Sequence, residues 1–286
     1  MKLFDAFTFF NEFELLEIRL EFLSPFVDKF VICESTYTHS GKPKPLNFLN
    51  SIDRFRKWES KIEYLVYEPD MTGLDLDKKI DQYDPSAPQW KLETSQRNFL
   101  MSYLQKQADE DIAFVTDLDE IWNPKLASII ASNRTGHDIA RIAMAHFTYY
   151  FNCRKIGKGG NNFVWQHPFF AKISLLKANP DISHLRVYGN LPTVHTVDYE
   201  WCGWHFTYMG GANRVLEKIK AYAHQESNNP QMTDMDYLNS CISKGINPFV
   251  QDNEWSELVY VPTDYFPESL ANLLMEYPDW LRLRLG

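Results

Sequence analysis

Asp117-Leu118-Asp119-Glu120 is the segment whose side chains are best placed to do chemistry, and it directly follows the apolar run Ile112-Ala113-Phe114-Val115. In an extended chain, residues i and i+2 point to the same side, so Asp117 and Asp119 can aim both carboxylates at one point beyond the strand. Two carboxylates that close repel each other unless a proton or a cation lies between them. Mg²⁺ and Mn²⁺ prefer oxygen ligands and keep positions for water and substrate phosphates. The spacing therefore predicts a site for a divalent metal ion and a diphosphate.

Three other interpretations of this acidic segment stay open at this point. Asp119 can be the N-cap of a helix that Pro124 opens. Phosphatases also carry Asp-x-Asp after a strand, with the first Asp as the nucleophile, although they place it on the first strand and here it follows the fourth. A non-catalytic carbohydrate-binding protein can hold Ca²⁺ on acidic side chains, although such proteins are mostly β-sandwiches without alternating helices and strands.

The composition of the 286 residues is that of a globular protein, with 44% hydrophobic and 23% charged residues. Aromatic residues make up 15%, and a packed core can absorb many of them. Aromatic rings also stack well on the apolar faces of sugars, so a carbohydrate ligand is the alternative that their number favours. The net charge of −9 argues against a nucleic-acid partner, because binding to phosphates needs clustered Lys and Arg. The scattered cysteines indicate neither a disulfide scaffold nor a thiolate zinc site; they are Cys33, Cys153, Cys202 and Cys241.

The N-terminal residues do not have the pattern of a signal peptide or a membrane anchor. Asp5 and Asn11-Glu12 interrupt the apolar stretch that a signal peptide needs. No stretch of the chain approaches the roughly 18–20 apolar residues of a membrane span. We therefore expect a cytoplasmic protein with reduced cysteines and no transmembrane segment, with peripheral membrane contact left open.

The elements that must position the acidic segment alternate between strands and helices over the first 120 residues. Short apolar runs predict strands at residues 3–10, 29–33, 62–67 and 111–116. Helical periodicity predicts helices at residues 11–24, 47–58 and 89–107, and Gly and Pro mark residues 71–88 as a long loop. This order implies right-handed crossovers and a parallel sheet, in which ligands bind at the carboxyl ends of the strands. We therefore predict an α/β fold.

The pattern after Asn123-Pro124 is looser. It predicts strands at residues 138–145, 147–151 and 201–208, and helices at residues 213–224, 234–244 and 268–285. The chain contains no repeat, no low-complexity stretch and no clear linker, so we expect a single domain over residues 1–286.

Eight short segments between residues 5 and 210 are informative when they are taken in combination. They are Asp5-Ala6-Phe7, Glu14-Leu15-Leu16-Glu17-Ile18-Arg19-Leu20, Val27-Asp28-Lys29-Phe30-Val31-Ile32, Glu34-Ser35, Gly41-Lys42-Pro43-Lys44-Pro45-Leu46, Arg97-Asn98, Asp117-Leu118-Asp119-Glu120-Ile121 and Gly203-Trp204-His205. Together they resemble glycosyltransferase family 17, the family of the enzyme that adds the bisecting β-1,4-N-acetylglucosamine of N-glycans.

This resemblance implies a GT-A fold, a Rossmann-like nucleotide-binding sheet followed by acceptor-side strands and helices. Residues 1–122 would form the donor-nucleotide half of the single domain and residues 123–286 the acceptor half. The implied reaction is an inverting, metal-dependent transfer of N-acetylglucosamine from UDP-GlcNAc to a glycan or glycolipid, with Mn²⁺ or Mg²⁺ as the ion. Because the eukaryotic member is anchored in the Golgi and this chain shows no anchor, we expect a glycolipid or polysaccharide precursor as the acceptor.

In the donor half, the resemblance places Glu12, Glu34, Arg97 and Asp117 around the nucleotide. The carboxylate of Glu34 follows an apolar strand and can accept hydrogen bonds from ribose hydroxyls or an imide N–H, unless it is a surface acid. Arg97 would contact the diphosphate or the base, unless it is an exposed cation of its helix. Glu12 can instead stabilise the N-terminus of the first helix through the helix dipole.

In the second half, the resemblance implies a late histidine that completes the metal site of Asp117 and Asp119. His205 fits that order, and His224 is the alternative. An inverting transfer also needs a carboxylate as general base on the acceptor hydroxyl. We choose Glu200 for this role from five candidate acidic residues of this half, which are Asp198, Glu200, Glu226, Asp234 and Asp236.

Overall fold

A computed structural model describes residues 1–76, 80–132, 137–187, 195–197 and 202–282. The strands are β1 (Leu3–Phe9), β2 (Lys29–Ser35), β3 (Ile62–Tyr67), β4 (Ile112–Asp117), β5 (Glu120–Trp122), β6 (Ile139–Ile142), β7 (Met144–Thr148), β8 (Cys153–Gly157), β9 (Val164–Trp165), β10 (Phe169–Lys172), β11 (His195–Val197), β12 (Gly203–Thr207) and β13 (Ser256–Tyr260). The α-helices are α1 (Phe13–Leu23), α2 (Asn47–Asn50), α3 (Pro88–Phe99), α4 (Met101–Leu104), α5 (Lys125–Ala131), α6 (Ile173–Ala178), α7 (Ile182–Val187), α8 (Gly211–Ala221), α9 (Met235–Lys244), α10 (Asp252–Trp255) and α11 (Glu268–Met275).

The first sheet has the strand order β11-β6-β10-β4-β1-β2-β3. Strands β3, β2, β1 and β4 run parallel, as the sequence predicts, and β10 is antiparallel to both β4 and β6. The apolar runs of β1, β2 and β4 are buried on both faces, which is the usual environment of a parallel strand. Their carboxyl ends meet at one edge, where Thr8 pairs with Asp117 and Phe9 with Glu34. The predicted α/β fold is confirmed.

Alternate residues of the parallel strands pack into two separate cores, because successive side chains of a strand point to opposite faces. Phe7 and Phe114 face α1 and the second sheet, whereas Ala6 and Val115 face the side of the sheet covered by α4 and α6. The ring of Phe114 stacks on that of Trp122, with centroids 3.9 Å apart. This stacking fixes the end of β4 against the start of the second sheet.

The second sheet has the order β13-β8-β7-β12-β5, with β9 paired to β7. Strand β5 begins three residues after β4 ends, so the chain passes from the first sheet to the second through the acidic segment. The predicted strand at residues 201–208 corresponds to β12. Residues 117–120, hereafter the acidic loop, therefore lie at the junction of the two sheets.

Three predicted helices differ from the structure. The one at residues 89–107 consists of two helices, α3 and α4, and α4 ends at Leu104. Residues 47–58 form one α-helical turn, α2, followed by the 3-10 helix Ile52–Lys61, because Phe55 is the one residue that this 3-10 helix buries and no apolar stripe supports a longer α-helix. The predicted helix at residues 268–285 ends at Met275, and a 3-10 turn, Pro278–Trp280, follows. None of the helices in the described part of the chain is long and apolar enough to cross a membrane.

Candidate active site

A cavity of about 1060 Å³ opens at the carboxyl edge of the first sheet, beside the second sheet. Its walls include Asp117 and Asp119 from the acidic loop, Arg97 from α3, His205 from β12 and Lys218 from α8. Ligand pockets of proteins typically measure about 300–1000 Å³, so this cavity has room for more than one small ligand. The cavity lies beyond the carboxyl ends of the parallel strands, which is where ligands bind in sheets of this kind.

Arg19 on α1 holds the acidic loop in place from beneath. Its guanidinium is fully buried and pairs with Asp5 on β1 at 2.6 Å. The same group donates hydrogen bonds to the main-chain carbonyls of Asp117, Leu118 and Glu120, at 2.7, 3.0 and 2.9 Å. Hydrogen bonds from a charged donor are stronger than neutral ones, so this buried arginine fixes the turn that presents the two aspartates.

The carboxylate of Asp117 is held between two buried arginines. Arg97 donates to one oxygen at 3.0 Å and Arg186 to the other at 2.7 Å. Arg186 lies on α7, which packs against α3, and it also contacts Glu120 at 2.8 Å. Burial alone would raise the pKa of Asp117, but Arg186 and Arg97 hold it well below its usual range. With an arginine on each oxygen, Asp117 is poorly placed for the nucleophilic role of the phosphatase interpretation.

Asp119 has a different set of partners. Lys218 on α8 donates to its carboxylate at 2.7 Å, and the Nε2 atom of His205 lies 3.5 Å from the same oxygen. Burial opposes ionisation here too, but Lys218 and then His205 lower the pKa of Asp119. The chain turns at residues 118 and 119, so the extended-strand argument that aimed Asp117 and Asp119 at one point does not apply. The acidic loop presents one carboxylate to an arginine pair and the other to a lysine and a histidine.

His205 reaches Asp119 because β12 lies directly against β5. His205 pairs with Glu120 in the register, and the N–H of Phe206 donates to the carbonyl of Asp119 at 2.8 Å. Gly203 permits this close approach, since a Cβ atom there would lie 2.6 Å from the carbonyl oxygen of Ile121. The structure thus places the predicted late histidine beside the acidic loop.

Asp119 and His205 are the residues at this site that could hold a divalent ion. A carboxylate together with an imidazole suits Mn²⁺ better than Mg²⁺, because imidazole is the softer ligand. Such ions often take one or two carboxylates from the protein and complete their shell with phosphate oxygens and water. Among the described residues, no three His, Cys, Asp or Glu side chains form a ready-made ligand set. The geometry therefore offers two protein ligands, and Lys218 must leave Asp119 for an ion to bind.

Glu34 lies below the cavity, away from its lining, which differs from the nucleotide contact that the resemblance implies. Its carboxylate is fully buried and accepts hydrogen bonds from the Nζ of Lys44 at 2.7 Å and the hydroxyl of Tyr64 at 2.8 Å. It also accepts from the backbone N–H groups of Asn47 and Phe48, at 2.6 and 3.0 Å. These groups begin α2, so Glu34 satisfies the free N–H groups of that helix and anchors the preceding loop.

Glu12 and Arg97 both line the cavity, as expected for residues that contact a ligand. Glu12 precedes α1 and accepts a hydrogen bond from the N–H of Asn11 at 3.1 Å. Burial alone would lower the pKa of Lys218, but the charges of Asp119 and then Glu12 raise it. Arg97 is buried, and its Nε has no hydrogen-bond partner among the residues that the structure describes. Arg97 is thus a cation of the cavity wall, unlike the exposed helix residue of the alternative interpretation.

The predicted general base, Glu200, lies outside the described residues, and so does Asp198. Glu226 lines the cavity and its carboxylate lies 2.6 Å from Nδ1 of His224. Asp234 caps α9 by accepting from the N–H of Tyr237 at 2.8 Å, and Asp236 is exposed. His224 is therefore paired with Glu226, and His205 is the histidine that lies next to Asp119.

Arg19, Arg186 and Lys218 are site residues that the sequence did not identify. Arg186 and Lys218 reach the acidic loop from 69 and 99 residues away along the chain. One signal was available for Arg19, because a charged residue lies between the apolar positions Ile18 and Leu20 of α1 and is buried with them. Buried cations of this kind generally have an anionic partner, which points towards an acidic segment.

Comparisons with known proteins show what the sequence of this chain is similar to. Residues 1–259 match the sequence profile described as Glycosyltransferase family 17. The β-1,4-mannosyl-glycoprotein 4-β-N-acetylglucosaminyltransferase of Homo sapiens is 30% identical over 119 residues, covering 39% of this chain and 20% of that protein. The protein of the same name from Rattus norvegicus is 29% identical over 128 residues, covering 42% of this chain and 21% of that protein. The matched part spans about a fifth of these relatives.

Two solved glycosyltransferase structures overlap loosely with the chain. Staphylococcus aureus TarS, residues 1–349, has a TM-score of 0.40 and 14% identity, covering 88% of this chain and 74% of that one. The galactosyltransferase LgtC, in complex with donor and acceptor sugar analogues, has a TM-score of 0.36 and 10% identity, covering 99% and 97%. At these TM-scores no residue role or ligand can be transferred.

Proposed function

The chain belongs to glycosyltransferase family 17, and we propose that it transfers N-acetylglucosamine from UDP-GlcNAc to the hydroxyl of a glycan or glycolipid acceptor. The names of the curated relatives specify an N-acetylglucosaminyltransferase, which supports this donor sugar. We also propose an inverting reaction that depends on a divalent ion. Residues 1–122 would form most of the donor side, with Arg186, His205 and Lys218 contributed by the second half.

The observation that supports a diphosphate-bearing donor best is the set of three buried or half-buried cations around the acidic loop. Arg97, Arg186 and Lys218 line the cavity, and each contacts a carboxylate of the acidic loop. Arginine presents a planar fork of donors that matches phosphate oxygens. When a diphosphate enters, these cations can donate to its oxygens while the carboxylates of the acidic loop orient them. A lectin that recognises only sugars has no need of such a cluster.

Asp119 and His205 would hold the divalent ion. The ion, when bound, supplies positive charge to the diphosphate as the glycosidic bond breaks. Lys218 would leave its contact with Asp119 to make room for the ion and would then be free to donate to a phosphate oxygen. Arg97 and Arg186 keep their positions because Asp117 and Glu120 orient them. These residues therefore stabilise the leaving group, while the acceptor hydroxyl loses its proton to a general base, for which Glu200 remains our candidate.

A thermal-shift measurement with UDP, GDP and CMP, each with and without Mn²⁺, tests this function. We expect UDP to raise the melting temperature more than GDP or CMP, and Mn²⁺ to increase the effect of UDP. Preferential stabilisation by GDP or CMP would contradict the choice of donor. A protein that is stabilised by saccharides and by no nucleotide would instead be a carbohydrate-binding protein.

A further inference from the structure

The wall of the cavity continues from the acidic loop onto the second sheet, and this part of the cavity is hereafter the arm. Next to Asp119, the rings of His205 and His146 lie 4.7 Å apart between centroids, and the rings of His146 and Phe163 lie 5.5 Å apart. All three rings line the cavity. His146 and His205 lie on β7 and β12 of the second sheet, whereas Arg97 lies on α3 beside the first sheet.

The arm ends at an ion pair enclosed by aromatic rings. The Nζ of Lys155 on β8 lies 2.7 Å from a carboxylate oxygen of Asp252, and Asn247 donates to the same oxygen at 3.2 Å. Lys155 also lies over the rings of Phe163 and Trp255, at 4.7 and 4.4 Å from their centroids. The side chain of Lys155 is 6% exposed, whereas that of Asp252 is 28% exposed. Both members of the pair line the cavity, and Asp252 is the more exposed of the two.

We propose that Lys155, Phe163, Asn247 and Asp252, hereafter the distal subsite, bind a neutral sugar ring of the acceptor. This inference rests on the proposed function, because it assigns one end of the cavity to the acceptor. Sugars are recognised by aromatic rings that cover their apolar faces and by polar groups that bind their hydroxyls. Phe163 offers a half-buried ring, and Asp252 offers an acceptor for hydroxyl protons.

Charge selects a neutral sugar over a phosphate or an acidic sugar. The ammonium group of Lys155 is already paired with Asp252, and its other neighbours are aromatic rings. An anionic ligand in the distal subsite would have to compete with Asp252 for Lys155, and it would be repelled by the carboxylate of Asp252. Phosphate sites instead present cations to the ligand, and the cavity has such cations at the acidic loop.

The size of the cavity agrees with two ligands bound at once. At about 1060 Å³ it exceeds the usual range of about 300–1000 Å³ for a site that binds one small molecule. Within the acidic loop, Asp117 contacts Arg97, whereas Asp119 lies beside His205, whose ring contacts His146. A donor diphosphate at the arginine pair and a sugar at the distal subsite would therefore meet near Asp119.

The test uses Phe163→Leu, which removes the aromatic face and keeps the ion pair, and Asp252→Asn, which removes the carboxylate charge. Glu254→Gln is the matched control, because Glu254 lies on the same short helix as Asp252 and is exposed. Saturation-transfer NMR with lactose, cellobiose and mannobiose gives the saccharide dissociation constants, and glucose 1-phosphate and glucuronic acid are the anionic probes. Calorimetry with UDP on the same variants reports on the donor site.

We expect at least one neutral disaccharide to bind the unmodified protein, and each of the two variants to weaken that binding about tenfold. Glu254→Gln should leave it unchanged, and all three variants should keep the UDP affinity. The inference is overturned if no neutral disaccharide binds, if the anionic probes bind better, or if the variants weaken UDP binding and spare the saccharide. Failure of UDP to bind the unmodified protein would remove the proposed function, whereas saccharide binding that depends on Phe163 would still establish the subsite.

Discussion

Arg19 and Asp5 form an ion pair of 2.6 Å in which neither side chain is exposed to solvent. Arg19 also donates to the main-chain carbonyl of Asp117, 98 residues further along the chain, and to that of Glu120. The indole N–H of Trp122 completes the arrangement by donating to Asp5 at 3.0 Å. One buried guanidinium therefore connects α1, β1 and the acidic loop, so the shape of the site depends on the core beneath it.

Replacing Arg19 by Leu should lower the free energy of unfolding by about 3–5 kcal/mol, because it leaves Asp5 as a buried, unpaired charge. Urea denaturation followed by circular dichroism measures this loss. Arg54→Leu is the matched control, since Arg54 pairs with Glu17 at 2.6 Å near the surface, where such a pair contributes about 0–1 kcal/mol. Equal losses for the two variants would contradict the role of Arg19.

Asp119→Asn should abolish the Mn²⁺-dependent part of the stabilisation by UDP, because an amide is a weaker ligand for a hard cation than a carboxylate. The variant also loses the charge opposite Lys218, so its own melting temperature should fall, and the UDP-induced shift is the quantity to compare. His205→Asn should weaken the Mn²⁺ dependence as well. Asp109→Asn, at an exposed pair with Lys177, serves as the control. An unchanged Mn²⁺ requirement in both site variants would exclude them as metal ligands.

Arg186→Lys should lower the affinity for UDP about ten- to a hundredfold, since lysine keeps the charge but loses the fork that binds Asp117 and Glu120 together. The expected loss corresponds to one charge-assisted hydrogen bond of about 1.5–3 kcal/mol. Isothermal titration calorimetry with UDP measures it. Arg56→Lys, at an exposed pair with Asp53, should bind UDP as the unmodified protein does. If Arg186→Lys also retained that affinity, Arg186 would have no part in donor binding.

The sequence predicted the parts of the fold that follow from local pattern. The apolar runs of β1, β2 and β4 placed the parallel strands, and the strand before Asp117 placed the acidic loop at a carboxyl edge. His205 came from the family resemblance and does lie beside Asp119. These predictions depend on short segments of chain, which is why they could be made without tertiary information.

The partners of the acidic loop could not be predicted in the same way. Lys218 is one of several cations on α8, and the packing of α8 beside the acidic loop decides that it meets Asp119. Arg186 gains its role because α7 packs on α3. Glu34 lies at the end of an apolar strand, where an acid often binds a ligand. In the structure its carboxylate instead accepts a hydrogen bond from the backbone N–H of Asn47. Each outcome depends on contacts between distant segments.

Stability should fall as the pH is lowered below about 6.5, in part because of His167. Burial and then the charge of Arg186 lower the pKa of His167 in the folded protein. Below its ordinary pKa of about 6.5, the unfolded chain therefore binds more protons than the folded one, and the free energy of unfolding decreases by up to about 1.4 kcal/mol per pH unit. His167→Gln should reduce this slope. Urea denaturation at pH 7.5, 6.5 and 5.5 compares the two proteins, and identical slopes would contradict the assignment.

The most direct test of a sugar transfer centred on the acidic loop is the release of UDP from UDP-GlcNAc, followed with Mn²⁺ and a panel of neutral saccharide acceptors. We expect the unmodified protein to release UDP and to produce an acceptor heavier by one N-acetylhexosamine residue, detected by mass spectrometry. Asp119→Asn, confirmed as folded by circular dichroism, should do neither. Saccharide binding without release of a nucleoside diphosphate from UDP-GlcNAc or any other nucleotide sugar would contradict the proposed transferase function.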